Sequence, residues 1–197
     1  MKSTSFLIAI AFGLLVAAVM LASGGAVEQT HKLTSISPRK MADALHAVIA
    51  ADRETYARVI VQRLVFEKGN SKASENWHAE ECLPVHAQML RLAGASVQKK
   101  GAEFSYTLRS LWPINENHGP QTAAEQAGLE QVAKNPAANY YTDETLGGRS
   151  YFTAIYPDVV SLTSCADCHN RHPASPRRDF KPNDVMGAIV VRIPLEF

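Results

Sequence analysis

The sequence predicts an α+β fold, with long N-terminal helices followed by a sheet domain. Three observations predict it. Residues 37–66 carry apolar side chains at helical spacing, residues 104–112 alternate as a strand does, and the chain closes on an apolar run, Val185–Leu195. The 197 residues are enough for one domain with a real core. Lys+Arg total 20 against 19 Asp+Glu, a net charge of +1, and nothing indicates a nucleic-acid surface or a polybasic membrane patch.

Lys2 precedes an uncharged run from Phe6 to Ala22, and "SGGAVEQT" follows. A basic start, an apolar stretch and small residues match a secretory signal, with Gly24-Gly25-Ala26 as the cleavage region. The run is long for a signal core and short for a full membrane span of ~20 residues. Residues 1–26 are therefore expected to be a signal peptide or a retained N-terminal membrane anchor. Both place residues 27–197 in the periplasm or its extracytoplasmic equivalent.

The segment from Ser37 to Phe66 predicts one long helix, capped by Ser37 with Pro38 in its first turn and ended by Gly69-Asn70. A second helical region covers about 72–99, kinked or restarted at Pro84. Strand alternation follows in "EFSYTLRSLWP", then a loop, "PINENHGPQ". "TAAEQAGLEQVAKN" predicts a helix opened by the capping box Thr122-x-x-Glu125. "RSYFTAIYP" reads as a strand. Val185–Leu195 reads as the last strand, with Gly187 at a bulge or a close approach.

The chemistry sits in "SCADCHNRHP", just before that last strand. Cys165-x-x-Cys168-His169 is the c-type haem attachment pattern: two thiols to add to two vinyl groups, and an adjacent imidazole to reach the iron. Such attachment takes place outside the bacterial cytoplasm, so motif and export signal agree. The expected cofactor is one covalent haem c, with Cys165 and Cys168 as anchors and His169 as proximal ligand. Three other readings compete. Zinc can be held by Cys165, Cys168, Cys82 and a histidine. A thiol redox pair usually opens a helix, and here Pro173 and Pro176 make a poor helix start. A disulfide between Cys165 and Cys168 closes a strained ring.

The distal ligand stays open at the level of sequence. His78, Cys82 and His86 are spaced to share one face of a continuous helix, and Met89 lies one turn further. Cys82, Met89 and His86 are the distal candidates. Cys82 and Met89 read equally well as core residues. Arg149, Arg177, Arg178 and Lys181 are candidates for the haem propionates, since an arginine fork suits a carboxylate; the competing reading is solvated surface charge.

"LPVHAQML", "SLWPINENHGPQTAAEQAGLEQVAKNP", "YFTAIYPDV" and "CADCHNRHPASPRRDFKPNDVMGAIVVRIPL" together resemble the domain of unknown function 3365. This is the PAS-like c-type haem domain of a cyanobacterial single-haem cytochrome and of bacterial sensor kinases. The resemblance covers roughly residues 40–195. It implies a PAS-like antiparallel sheet with long N-terminal helices, one covalent haem and a redox or gas-sensing role. It also implies a distal thiolate in the region of Cys82, although aligning the prolines puts that cysteine nearer Ala79.

The function expected is an exported mono-haem sensor of redox state or of a small gas ligand. The alternative is a small electron-transfer cytochrome c; a haem enzyme or a zinc-binding structural protein is a weaker reading. No distal acid/base set is evident, so no catalytic activity is expected. With no output domain after Phe197, sensing needs a separate signalling protein, as electron transfer needs a redox partner.

Overall fold

Ser37, Pro38 and the apolar spacing behind them begin the first helix where the sequence places it. The computed structural model describes residues 35–196; the expected export segment, residues 1–26, lies outside the described residues. α1 spans Pro38–Thr55, and Ser37 Oγ accepts the Lys40 N–H at 3.3 Å. The rod continues as a π-helix over Tyr56–Glu67, where hydrogen bonds reach five residues back, as from Lys68 N–H to Arg63 O. Gly69, at φ +64°, then lets the chain turn away.

The second helical region divides at Pro84. β1 (Ala73–Ser74) and β2 (Leu83–Pro84) form a short parallel pair, and α2 runs from His86 to Lys99. The helical face drawn through His78, Cys82 and His86 is corrected by this. His78 and Cys82 lie in turns before α2, because Pro84 cannot continue a helix and Val85 is extended (φ −64°, ψ 154°).

Four strands make the main sheet: β3 (Ser105–Arg109), β4 (Tyr140–Leu146), β5 (Arg149–Val159) and β6 (Val185–Pro194). All pairings are antiparallel, in the order β3-β6-β5-β4. The fold is the α+β, PAS-like arrangement that the sequence predicts.

Side-chain alternation along β5 and β6 assigns each residue to one of two layers. Ala154, Tyr156, Ile189, Val191 and Ile193 face α1 and α2, where Ala42 and Leu90 are buried. Ile155, Ala188 and Val190 face α3 (Ala123–Lys134), against Leu129 and Val132. Each fully buried Ile or Val contributes about 1.5–3 kcal/mol. α1 is also tied down by polar contacts: the hydroxyls of Tyr156 and Tyr141 both donate to Asp43 Oδ1, at 2.7 and 2.9 Å.

α3 opens as the capping box predicts on one side only. Thr122 Oγ1 accepts the Glu125 N–H at 3.1 Å, whereas Glu125 Oε2 accepts from Gln121 N–H at 2.6 Å. The Glu125 carboxylate is fully buried and also meets Arg192 at 2.8 Å and Arg109 at 3.3 Å. At Gly187 both expectations hold together. The β5–β6 register shifts between Asp158 and Val159, passing over Met186, and a Cβ on Gly187 would lie 2.5 Å from Arg109 O.

Candidate functional site

The Cys165-x-x-Cys168-His169 motif lies on a helix. α4 spans Thr163–Arg171 and carries Cys165, Cys168 and His169 within about one turn. This corrects the expectation drawn from Pro173 and Pro176. Both prolines fall after the C-cap, His172, where proline ends a helix rather than preventing one. Asn170 holds the returning loop, its side chain donating to Phe180 O and accepting from Phe180 N–H, each at 2.9 Å. Ser164 Oγ donates to Gln62 Oε1 at 3.0 Å, tying α4 to the π-helical part of the first rod.

α4 borders a cavity of about 460 Å³ between α1, the start of α2 and the ends of β3, β5 and β6. That size suits a small-molecule or cofactor site. Cys165 and His169 line it from α4, His86 and Arg91 from α2, His46 and Arg53 from α1, and Leu108, Arg109, Trp112 and His118 from β3 and its loop. The Sγ of Cys165 is 3.9 Å from Nε2 of His86, so the motif and the start of α2 meet here.

The electrostatics favour neutral nitrogen donors. Burial pushes His86 down to about 4, helped by the Arg53 guanidinium and His169 and opposed by Asp158. Burial also lowers His169, with His172 adding to the effect. Both imidazoles are thus neutral at pH 7, with a lone pair free for a metal. The His169 ring stands edge-on to Phe180 at 5.9 Å, and its buried Nδ1 has no hydrogen-bond partner among the described residues. Burial raises the Cys165 and Cys168 thiols, so both are protonated in the metal-free chain at neutral pH. Cys82 is not drawn to the pair, and no group of three or more His, Cys, Asp or Glu forms a metal-binding cluster among the described residues.

The remaining candidates are placed as follows. Cys82 is half-buried, donates to Leu83 O at 3.8 Å and does not line the cavity; neither does Met89. Arg149 pairs with Glu103 at 3.5 Å and Glu196 O at 2.9 Å, at the start of β5. Arg177 pairs with Asp179 and Asp184, both at 2.7 Å, and lies over the Trp112 and Phe180 rings. Arg178 donates to Pro173 O at 2.7 Å. None of these three arginines lines the cavity, nor does Lys181. His172, adjacent to the motif, pairs with Glu75 at 2.8 Å.

Sequence reasoning missed His46, Arg53, Arg91 and Arg109. His46 stacks on Tyr156 at 3.8 Å, and Arg53 makes a two-pronged pair with Asp158 at 2.6 and 2.8 Å. No local motif marks these residues; only the packing of α1 and α2 on the sheet brings them to the cavity.

A PAS-like sheet, a lined cavity and a helix-borne Cys-x-x-Cys-His at its wall define a class of small α+β domain. The chain belongs to the Tll0287-like family, whose model matches residues 28–194. Among solved structures, the crystal structure of the cyanobacterial heme-protein Tll0287 matches with a TM-score of 0.53 at 21% identity, covering 81% of this chain and 98% of that one. That likeness shows a shared fold. No curated protein matches the chain.

Proposed function

We propose that this chain is an exported, non-catalytic mono-haem c-type protein that works as a redox or gas-sensing module. One observation carries the reading: Cys165 and His169 line a 460 Å³ cavity, with His86 meeting them from α2. Membership of the Tll0287-like family and likeness to a heme-protein support it. The residues fit the group. Cys165 and Cys168 would hold one edge of the haem, each thiol adding S–H across a vinyl double bond with no net oxidation. His169 and His86, both kept neutral by burial, would supply nitrogen donors to the iron.

A bound haem would supply a one-electron iron couple and the capacity to take a diatomic ligand. The chain does the rest. Leu108, Ile189 and Trp112 cover the cavity with apolar surface, while Arg53 and Asp158 fix α1 to β5 beside His86. A separate signalling protein reads the change.

A second reading, a small electron-transfer cytochrome with a redox partner, is favoured by the exposure of Cys168, which brings the anchored haem edge to the surface. Absorption spectra of oxidised, reduced and CO-treated protein separate the two. Uptake of CO by the reduced form, with loss of the distal ligand, is the outcome expected for sensing. A haem that stays six-coordinate under CO while exchanging electrons rapidly supports electron transfer. A protein that matures without haem overturns both.

A further inference from the structure

We propose that Arg91, together with Arg109, holds the haem propionates, with His118 also on the cavity wall. The inference rests on the haem reading above and adds the orientation of the group within its cavity. The charged residues on the cavity wall fall into two groups. Around Cys165 and His86 the acting charges are Arg53 and Asp158, which pair with each other at 2.6 Å. Arg91, Arg109 and His118 line the cavity together, and His118 is lowered first by burial and then by the two arginines.

Arg91 is half-buried on the cavity wall, and among the described residues it has no carboxylate or hydrogen-bond partner. A half-buried guanidinium with no anion is free to pair with a carboxylate that enters the cavity. Its pKa is lowered to about 10 by burial and by the like charge of Arg109. Arg109 shares the Glu125 carboxylate with Arg192, which also pairs with Glu144 at 2.7 Å, so Arg91 is the cation of this group left without a carboxylate among the described residues.

The chemistry of the porphyrin supplies the rest. Its two vinyl-bearing pyrroles and its two propionate-bearing pyrroles lie on opposite edges. Thioether bonds to Cys165 and Cys168 therefore direct the propionates away from α4. Arg91 lies five residues beyond His86 on α2, about 7.5 Å further along the axis. Arginine forks match carboxylates, and a propionate supplies Arg91 with the anion it lacks.

The test uses the full chain made with a haem-maturation system, comparing wild type with Arg91→Gln, Arg91→Lys and Arg149→Gln. Haem retention after acid–acetone extraction reports on attachment alone. The reduction potential is then followed against pH. In Arg91→Gln, retained haem with a lowered potential is expected. The propionate-linked inflection should also move up by roughly 1–3 pH units. Arg91→Lys should recover part of both shifts, and Arg149→Gln should show neither. Wild-type potential and inflection in Arg91→Gln, with haem retained, would overturn the inference while leaving the haem reading intact. Haem lost to the acid–acetone phase in wild type would overturn the haem reading and this inference with it.

Discussion

His86 Nε2 lies 3.9 Å from Cys165 Sγ, across 79 residues of sequence. The contact joins the first turn of α2 to the first turn of α4 at one point of the cavity wall. It makes His86 the distal candidate that the fold brings to the motif. His86→Ala should therefore change the ferric absorption spectrum, while Cys82→Ser and Met89→Ala leave it unaltered. An altered ferric spectrum in Cys82→Ser, with His86→Ala resembling wild type, would move the ligand to the turn before α2.

The two thiols differ in their surroundings, Cys165 half-buried against the cavity and Cys168 exposed. Cys165→Ala and Cys168→Ala should each leave one thioether at most, and so raise the fraction of haem released by acid–acetone. Cys165→Ala should also perturb the packing against His86, read as a larger drop in denaturation midpoint than for Cys168→Ala. Equal midpoints for the two variants would show that the Cys165 contact adds nothing to stability.

Arg53 and Asp158 form a largely buried ion pair, with side chains 17% and 11% exposed. Removing one partner strands the other charge beside His86. Asp158→Asn should cost about 3 kcal/mol in denaturant unfolding. Replacing both partners with apolar residues should cost less than either single change. A loss below about 0.5 kcal/mol for Asp158→Asn would place the pair with weak surface bridges.

His46 gives a pH dependence with a definite sign. Burial lowers it below the ordinary 6.5, although Asp43 and Asp158 oppose the shift, and the Tyr156 ring covers one face. Below pH 6.5 the unfolded chain takes up a proton that the folded chain refuses. Its contribution is complete above that value and is lost as pH falls towards the folded pKa. Unfolding of the holoprotein between about pH 5 and 8 should show this slope, and His46→Phe, which keeps the stack, should flatten it. An unchanged slope in His46→Phe would assign it to other groups, such as His118, which burial also lowers.

The parts of the fold that show in the sequence are those with strong local signals. Ser37-Pro38 and Thr122-x-x-Glu125 mark helix starts, and β6 stands out because both of its faces are buried. β4 escapes detection because Tyr140–Leu146 is a polar edge strand, with Asp143 and Thr145 exposed. Its one clear signal is Gly147-Gly148, whose φ values of +57° and +80° suit a tight hairpin to β5. The Cys-x-x-Cys-His motif is visible because its spacing is local. The cavity wall is not, because Arg91, Arg109 and His46 come together only through the packing of three distant elements.

The most direct test of the account is the fate of the colour when the chain, made with a haem-maturation system, is denatured and extracted with acid–acetone. The account predicts that the haem stays with the polypeptide, giving a pyridine haemochrome of the c type in which both vinyl groups are saturated. A colourless polypeptide carrying stoichiometric zinc, or one that surrenders its haem to the organic phase, would contradict it.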